Sequence, residues 1–192
     1  MNILLIDGHP DASDKRFCRA IVSAYEKGAC VAGHDTRRIE VANITFPLLR
    51  SEAEFEGEVL TETILDAQDQ IRWAKHIVIV YPLWLGTMPA LLKALLEQVF
   101  RPGFGFGASS RGWPEKLLKG RSARIIVTMG MPAFVYRWYF AAHSLKSLER
   151  NILKFCGISP VRETILGMVA AVSDGKRKSW LKKIEMLGAA GR

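Results

Sequence analysis

Three stretches of this 192-residue chain, each at the end of a predicted strand, hold residue types that bind charge or flat apolar groups. The first, DGHPDASDKRFCRAI (Asp7 to Ile21), sets Lys15 and Arg16 in the opening turn of a predicted helix. Free N–H groups and the positive end of the helix dipole make that terminus a receptor for an anion. Cations in a first turn oppose the dipole, so a pair of them points to an anion supplied from outside the chain. In the plainer reading Ser13 or Asp14 caps the helix and the cations face water. The other two stretches are YPLWLGTMPALLK (Tyr81 to Lys93) and TMGMPAFVYRW (Thr128 to Trp138). Both place Pro, Met, Gly and aromatic residues where a strand ordinarily gives way to polar turn residues. A single loop of this kind is core packing or a subunit contact. Two of them flanking an anion site describe a pocket for a flat apolar group with a phosphate tail, the shape of a flavin mononucleotide.

The elements that must position these loops alternate along the chain. Strands are predicted at Asn2–Asp7, Asp35–Val41, His76–Tyr81, Arg124–Met129 and Val161–Met168. Helices are predicted at Asp14–Ala32, Leu60–Ala74, Ala90–Phe100, Arg137–Phe155 and Asp174–Leu187, with a long loop over Phe46–Thr61. The run HIVIV (His76 to Val80) is short, β-branched and followed by a proline, as a strand buried on both faces would be. This alternation implies right-handed crossovers and one parallel sheet covered on both sides. The expected fold is therefore a single α/β domain over residues 1–192. It is a three-layer α/β/α sandwich with a five-stranded parallel sheet in the order 2-1-3-4-5. Ligands in such sheets bind at the carboxyl ends of the strands, where the order reverses. The three loops should converge there. GFGFGASSRG (Gly103 to Gly112) follows a helix rather than a strand, the wrong context for a phosphate cradle, and reads as a lid or a subunit-contact loop. No GxGxxG or Walker loop is present, so nucleotide binding cannot rest on those motifs.

Hydrophobic residues make up 49% and charged residues 24%, the proportions of an ordinary globular protein. Lys75, Lys93 and Arg101 interrupt the most hydrophobic region before it reaches the length of a membrane span. The start, MNILLIDGHP, has no basic region ahead of its apolar run and reads as a strand rather than a signal peptide. Cys18, Cys30 and Cys156 are odd in number and lack metal-ligand spacing, which argues against disulfides and against a metal site and predicts a cytoplasmic setting. Part of the net charge of +8 sits in GKRKSWLKKIEMLG (Gly175 to Gly188), a solvated helix face on the simplest reading. No aromatic platform or recognition helix points to nucleic acid.

PLWLGTMPALLKALLEQVFRPGFGF (Pro82 to Phe106) joins a Pro-Leu-aromatic loop to Met-Pro-Ala-x-Leu-Lys and Val-Phe-x-x-Gly-Phe. This resembles the signature of the flavodoxin-like NAD(P)H:quinone oxidoreductases. GHP (Gly8 to Pro10), KLLKGRSARIIVTMG (Lys116 to Gly130) and FCGISPV (Phe155 to Val161) fall where that family has equivalents. The resemblance implies a flavodoxin-like fold and a flavin-dependent two-electron reductase, a homodimer with each active site at the subunit interface. NAD(P)H would be the hydride donor, and a quinone, or an azo or nitro compound, the acceptor. By position, His9, Arg16, Phe17 and Cys18 would border the flavin phosphate and ribityl chain, next to Lys15. Pro82, Leu83, Trp84 and Leu85 would line the ring system, with backbone N–H groups of Leu83–Leu85 on its polar edge, and Thr128, Met129, Gly130 and Tyr136 would close the other side. Tyr136 and His143 map to a Tyr–His pair associated with hydride transfer, with Tyr136 as proton donor to the acceptor. Cys18 stands where a small amide residue is common, Lys15-Arg16 replaces a Ser/Thr-rich turn, and Met129 and Met131-Pro132 interrupt a Thr-x-Gly-Gly turn. The short C-terminal part favours FMN over the alternative, FAD.

Other functions of the same topology fit less well. One-electron carriers present acidic surfaces, opposite to this chain's charge. A receiver domain needs an Asp where Tyr81-Pro82 stands. The remaining alternative is a flavin-binding ancillary subunit of a potassium-efflux transporter, in peripheral contact with the membrane through the basic C-terminal segment.

Overall fold

Burial on both faces explains the most apolar segments of the chain. In a computed structural model describing residues 1–57, 60–108 and 112–192, β1 (Asn2–Asp7) and β3 (His76–Pro82) are buried along nearly their whole lengths. They form the centre of a five-stranded sheet in the order β2-β1-β3-β6-β7, with β2 at Asp35–Glu40, β6 at Ser122–Thr128 and β7 at Val161–Leu166. All pairings are parallel. With the separate two-stranded β4–β5 (Phe106–Gly107 and Glu115–Lys116) set aside, this is the 2-1-3-4-5 order expected from the sequence.

Successive strand residues face opposite layers. Leu4, Ile6, Ile77, Ile79, Ile125 and Val127 pack under α3 (Glu62–Trp73) and α4 (Ala90–Val99). Ile3, Leu5, Val78, Val80 and Ile126 pack under α1 (Phe17–Val31) and α8 (Asp174–Ala189). Where α1 and α8 meet, both helices carry glycine. A Cβ at Gly28 would lie 1.9 Å from the Glu185 carbonyl oxygen, and one at Gly188 would lie 2.0 Å from that of Tyr25. Backbone thus meets backbone directly.

Three expectations change. Within Phe46–Thr61, α2 (Glu52–Glu56) forms, capped by Ser51 Oγ accepting the Glu54 N–H at 3.2 Å. Gln98 and Arg101 hold this stretch through the carbonyls of Pro47 (2.6 Å) and Gly57 (3.2 Å), while Glu58 and Val59 lie outside the described residues. The glycine-rich loop begins as core rather than lid. Phe104 is buried, and Phe106 packs edge-on against Phe155 with 5.0 Å between centroids. Ser109, Ser110 and Arg111 fall outside the described residues. The helix expected over Arg137–Phe155 is broken into α5 (Ala133–Trp138), α6 (His143–Ser147), a π-helical stretch Leu148–Leu153, and α7 (Lys154–Cys156). Ala141 and Ala142 both adopt φ +49° between α5 and α6. The Tyr136 hydroxyl locks the break, accepting the Leu145 N–H at 3.2 Å and lying 2.7 Å from Ser144 Oγ.

Candidate active site

The order of the sheet reverses between β1 and β3, and the loops after β1, β3 and β6 meet at their carboxyl ends. The first loop is folded on its own side chains. Asp7 Oδ1 accepts the His9 N–H (3.1 Å), His9 Nδ1 accepts the Asp11 N–H (3.0 Å), and Asp11 Oδ1 accepts the Ser13 N–H (2.8 Å). These local turns compete with helix. They are why α1 starts at Phe17 and not at Asp14.

The consequence is an open helix terminus. The N-cap, Arg16, contributes no side-chain cap, and α1 has no acidic residue in its first turn. Ser13 and Asp14 do not cap it. Ser13 Oγ accepts the Lys15 N–H at 3.4 Å, and Asp14 pairs with Arg19 at 3.3 Å. Arg16 is held by Asp11 and Lys15 is exposed. The first turn of α1, with Phe17 half-buried and Cys18 buried, therefore lies at the carboxyl end of the sheet with no side-chain cap from its N-cap residue.

The second loop is a tight hairpin. Trp84 and Thr87 exchange both backbone hydrogen bonds (2.8 and 3.0 Å) around Leu85 and Gly86, at φ +47° and +81°. Positive φ at both central positions is the geometry of a type I′ turn, and a leucine there is strained. The turn projects Leu85 wholly into solvent and leaves Trp84 half exposed, above buried Pro82, Met88 and Pro89. Leu83 and Trp84 spend their N–H groups inside the protein, on Thr128 O (2.7 Å) and Thr87 O, so they are not available to a ligand's polar edge. The N–H groups of Leu85 and Gly86 have no acceptor among the described residues.

Contacts join the three loops. The Trp84 ring meets His9 edge to face at 5.8 Å between centroids. Cys18 Sγ lies 3.3 Å from Thr128 Oγ1. Thr128 and Met129 are buried, while Gly130 is exposed, with open space where a Cβ would stand. His9, Cys18, Leu83, Trp84, Leu85, Thr128, Met129 and Gly130 thus meet where the three loops converge, whereas the Phe17 ring packs against Trp180 of α8 at 6.2 Å between centroids.

Tyr136 and His143 are placed differently. Tyr136 is 1% exposed and its hydroxyl is committed to Ser144 and Leu145, so it is not set to give a proton to a molecule in the crevice. His143 is exposed at the start of α6, beyond the break. What the sequence reading passed over is Asp7. Its carboxylate is buried beneath the crevice, 3.4 Å from the Arg19 guanidinium and held above the usual carboxylate range chiefly by burial. A charged residue ending an otherwise apolar strand was the available signal.

Burial also holds His9 below the usual imidazole range, so its ring is neutral at pH 7. With Nδ1 accepting from Asp11, the neutral ring carries its proton on Nε2. His9 is therefore a neutral donor beside the open helix terminus.

The profile of the protein family described as having a flavodoxin-like fold matches residues 1–186, and the chain belongs to that family. A Haemophilus influenzae protein named an uncharacterized NAD(P)H oxidoreductase is 28% identical over 186 residues, covering 95% of this chain and 91% of its own. FMN-dependent NADH:quinone oxidoreductase 1 of Hahella chejuensis is 29% identical over 113 residues, covering 58% of this chain and 51% of its own length. Among solved structures, the NAD(P)H:quinone oxidoreductase of Methanothermobacter marburgensis superimposes with a TM-score of 0.83 at 23% identity, over 98% of each chain. That last likeness is one of fold.

Proposed function

We propose that this protein is a flavin-dependent NAD(P)H:quinone oxidoreductase that binds FMN in the crevice between the loops after β1, β3 and β6. One observation carries the reading: an uncapped helix terminus faces a hairpin that exposes Trp84 and Leu85, both at the point where the sheet order reverses. A phosphate satisfies the first feature and a flat ring covers the second. The names of the relatives support the same reading.

In this scheme the N–H groups of Phe17, Cys18 and Arg19 bind the flavin phosphate, and Lys15 adds a cation at the rim. The Cys18–Thr128 contact fixes the start of α1 against β6, so these N–H groups stay aimed. Trp84 packs beside the ring, and the N–H groups of Leu85 and Gly86 serve its polar edge. Gly130, with no side chain to intrude, admits the ring from the β6 side. His9 donates from Nε2 to the ribityl chain or phosphate without adding a charge. The bound flavin would supply the chemistry of accepting a hydride from NAD(P)H and passing two electrons to the quinone.

A homodimer is part of the proposal. Leu85, Phe134, Trp138 and Tyr139 are 106%, 67%, 84% and 82% exposed, far more apolar surface than a monomer gains by displaying around one crevice. A second copy would cover these residues and enclose the acceptor, with His143 of α6 beside the joint.

The test is to titrate the purified chain with FMN and FAD while following flavin fluorescence, and to identify by mass spectrometry any flavin released on denaturation. Saturable binding of FMN supports the proposal. A chain that takes up neither flavin contradicts it.

A further inference from the structure

At the other end of the strands, a second group of side chains shares the face under α1. Alternation puts His76 on the same face as Val78, Arg124 with Ile126, and Arg162 with Thr164. Arg124 and Arg162 are register partners on β6 and β7, so two guanidinium-bearing side chains leave adjacent backbone positions in the same direction. Arg124 is 6% exposed and donates from Nη1 to Thr164 Oγ1 at 2.8 Å, while Arg162 lies at the surface. His76 Nδ1 sits 2.7 Å from Ser122 Oγ, and its ring stacks on Tyr25 of α1 with 6.4 Å between centroids. Three buried polar atoms are left without a hydrogen-bond partner among the described residues: Arg124 Nε, His76 Nε2 and the Tyr25 hydroxyl.

Arg192, at the end of the chain, brings a third positive charge near Arg124, and among the described residues no carboxylate pairs with Arg124 or Arg162. The acids on the surrounding elements are engaged elsewhere. Glu163 points to the opposite face and pairs with Arg137, Glu26 of α1 pairs with Arg38, and Glu185 of α8 pairs with Lys27. A buried titratable group usually escapes such a position by neutralising. Burial and the two arginine charges push His76 down to about 4, and burial pushes Tyr25 up to about 12, so both are neutral at pH 7. A guanidinium has no such escape. Leaving Arg124 buried and unanswered is costly, because the desolvation of its charge is not offset by a counter-charge.

We infer that this cluster is a binding site for a small oxyanion, a phosphate group held between Arg124 and Arg162 with the Tyr25 hydroxyl and neutral His76 as further donors. It is separate from the crevice. Three residues of β6, four steps or roughly 13 Å of strand, separate Arg124 from Thr128. The inference does not depend on the flavin reading.

The experiment is thermal unfolding of the full chain in saturating FMN, titrated with inorganic phosphate, with ADP, and with chloride at matched ionic strength. A matched titration without FMN separates failure of flavin binding from failure of this site. The unfolding midpoint of the native chain should rise saturably with phosphate and not with chloride. Arg162→Gln, a surface change that leaves the fold intact, should weaken the apparent affinity at least tenfold, and Arg124→Gln should abolish the response. The His76 ring resonances should shift in the same titration. A response at lower concentration with ADP assigns the phosphate to a nucleotide, and a response to inorganic phosphate alone assigns it to the free ion. The inference is overturned if phosphate gives no saturable rise, or if Arg162→Gln responds as the native chain does.

Discussion

Trp84 stands 48% exposed against the edge of His9, and a flat ring in the crevice would cover its free face. Aromatic stacking contributes about 0.5–1.5 kcal/mol beyond area burial. Trp84→Ala should therefore raise the Kd for FMN roughly two- to tenfold with little effect on stability, read from a flavin titration and a denaturant curve on the same preparation. Tyr136 makes the opposite case. Tyr136→Phe leaves a buried N–H and a hydroxyl without their partner, which costs about 1–3 kcal/mol. Quinone turnover per folded molecule should stay within about twofold of native, since the hydroxyl does not reach the crevice. A large loss of turnover at unchanged stability would return Tyr136 to a proton-donating role. Trp84 was legible in the sequence because an aromatic in a loop after a buried strand needs a reason. The direction of the Tyr136 hydroxyl was not, because it depends on a helix break that no residue type announced.

That break is the clearest limit at the level of elements. Ala141 and Ala142 are good helix formers, and the sequence around them carries no Gly or Pro, so helical periodicity runs straight through. Tertiary bonding of Tyr136 across the gap overrides propensity. The short β4–β5 pairing and α2 were missed for a similar reason, since each is only a few residues long and α2 is held by the Ser51 cap and by bonds from Gln98 and Arg101 rather than by its own periodicity. The five main strands, by contrast, were placed to within about two residues: burial on both faces writes continuous apolar runs into the three central ones, and the edge strands β2 and β7 show a mixed polar and apolar pattern. The start of α1 shifted by a turn, and that shift leaves its terminus without a side-chain cap. Glycine at the α1–α8 contact carries a prediction at this scale. Gly188→Ala drives a methyl group into the Tyr25 carbonyl, and overpacking of this kind typically costs about 1–3 kcal/mol. Denaturant unfolding should show that loss, and an unchanged midpoint would mean that the two helices do not meet as closely as described.

Across the whole molecule, the fold was legible because its information lies in the order of strands and helices, while the assembly is written on its surface. Among the described residues no helix is long and apolar enough to cross a membrane. Leu85, Phe134, Trp138 and Tyr139 are among the most exposed apolar residues, and on the homodimer proposal sedimentation should find a dimer that Trp138→Glu converts to a monomer. Stability should depend on acid through His76. Its folded value of about 4 lies below the ordinary 6.5, so the stabilisation from its neutral form is complete above pH 6.5 and is lost as pH falls through about 4. The full difference is about 3 kcal/mol, and His76→Phe should flatten that part of the pH–stability curve. The most direct single measurement is NAD(P)H oxidation by the FMN-loaded protein with a quinone acceptor. Rapid oxidation that requires both the bound flavin and the quinone is the predicted result. A protein that holds FMN but oxidises neither NADH nor NADPH in the presence of any quinone would contradict it.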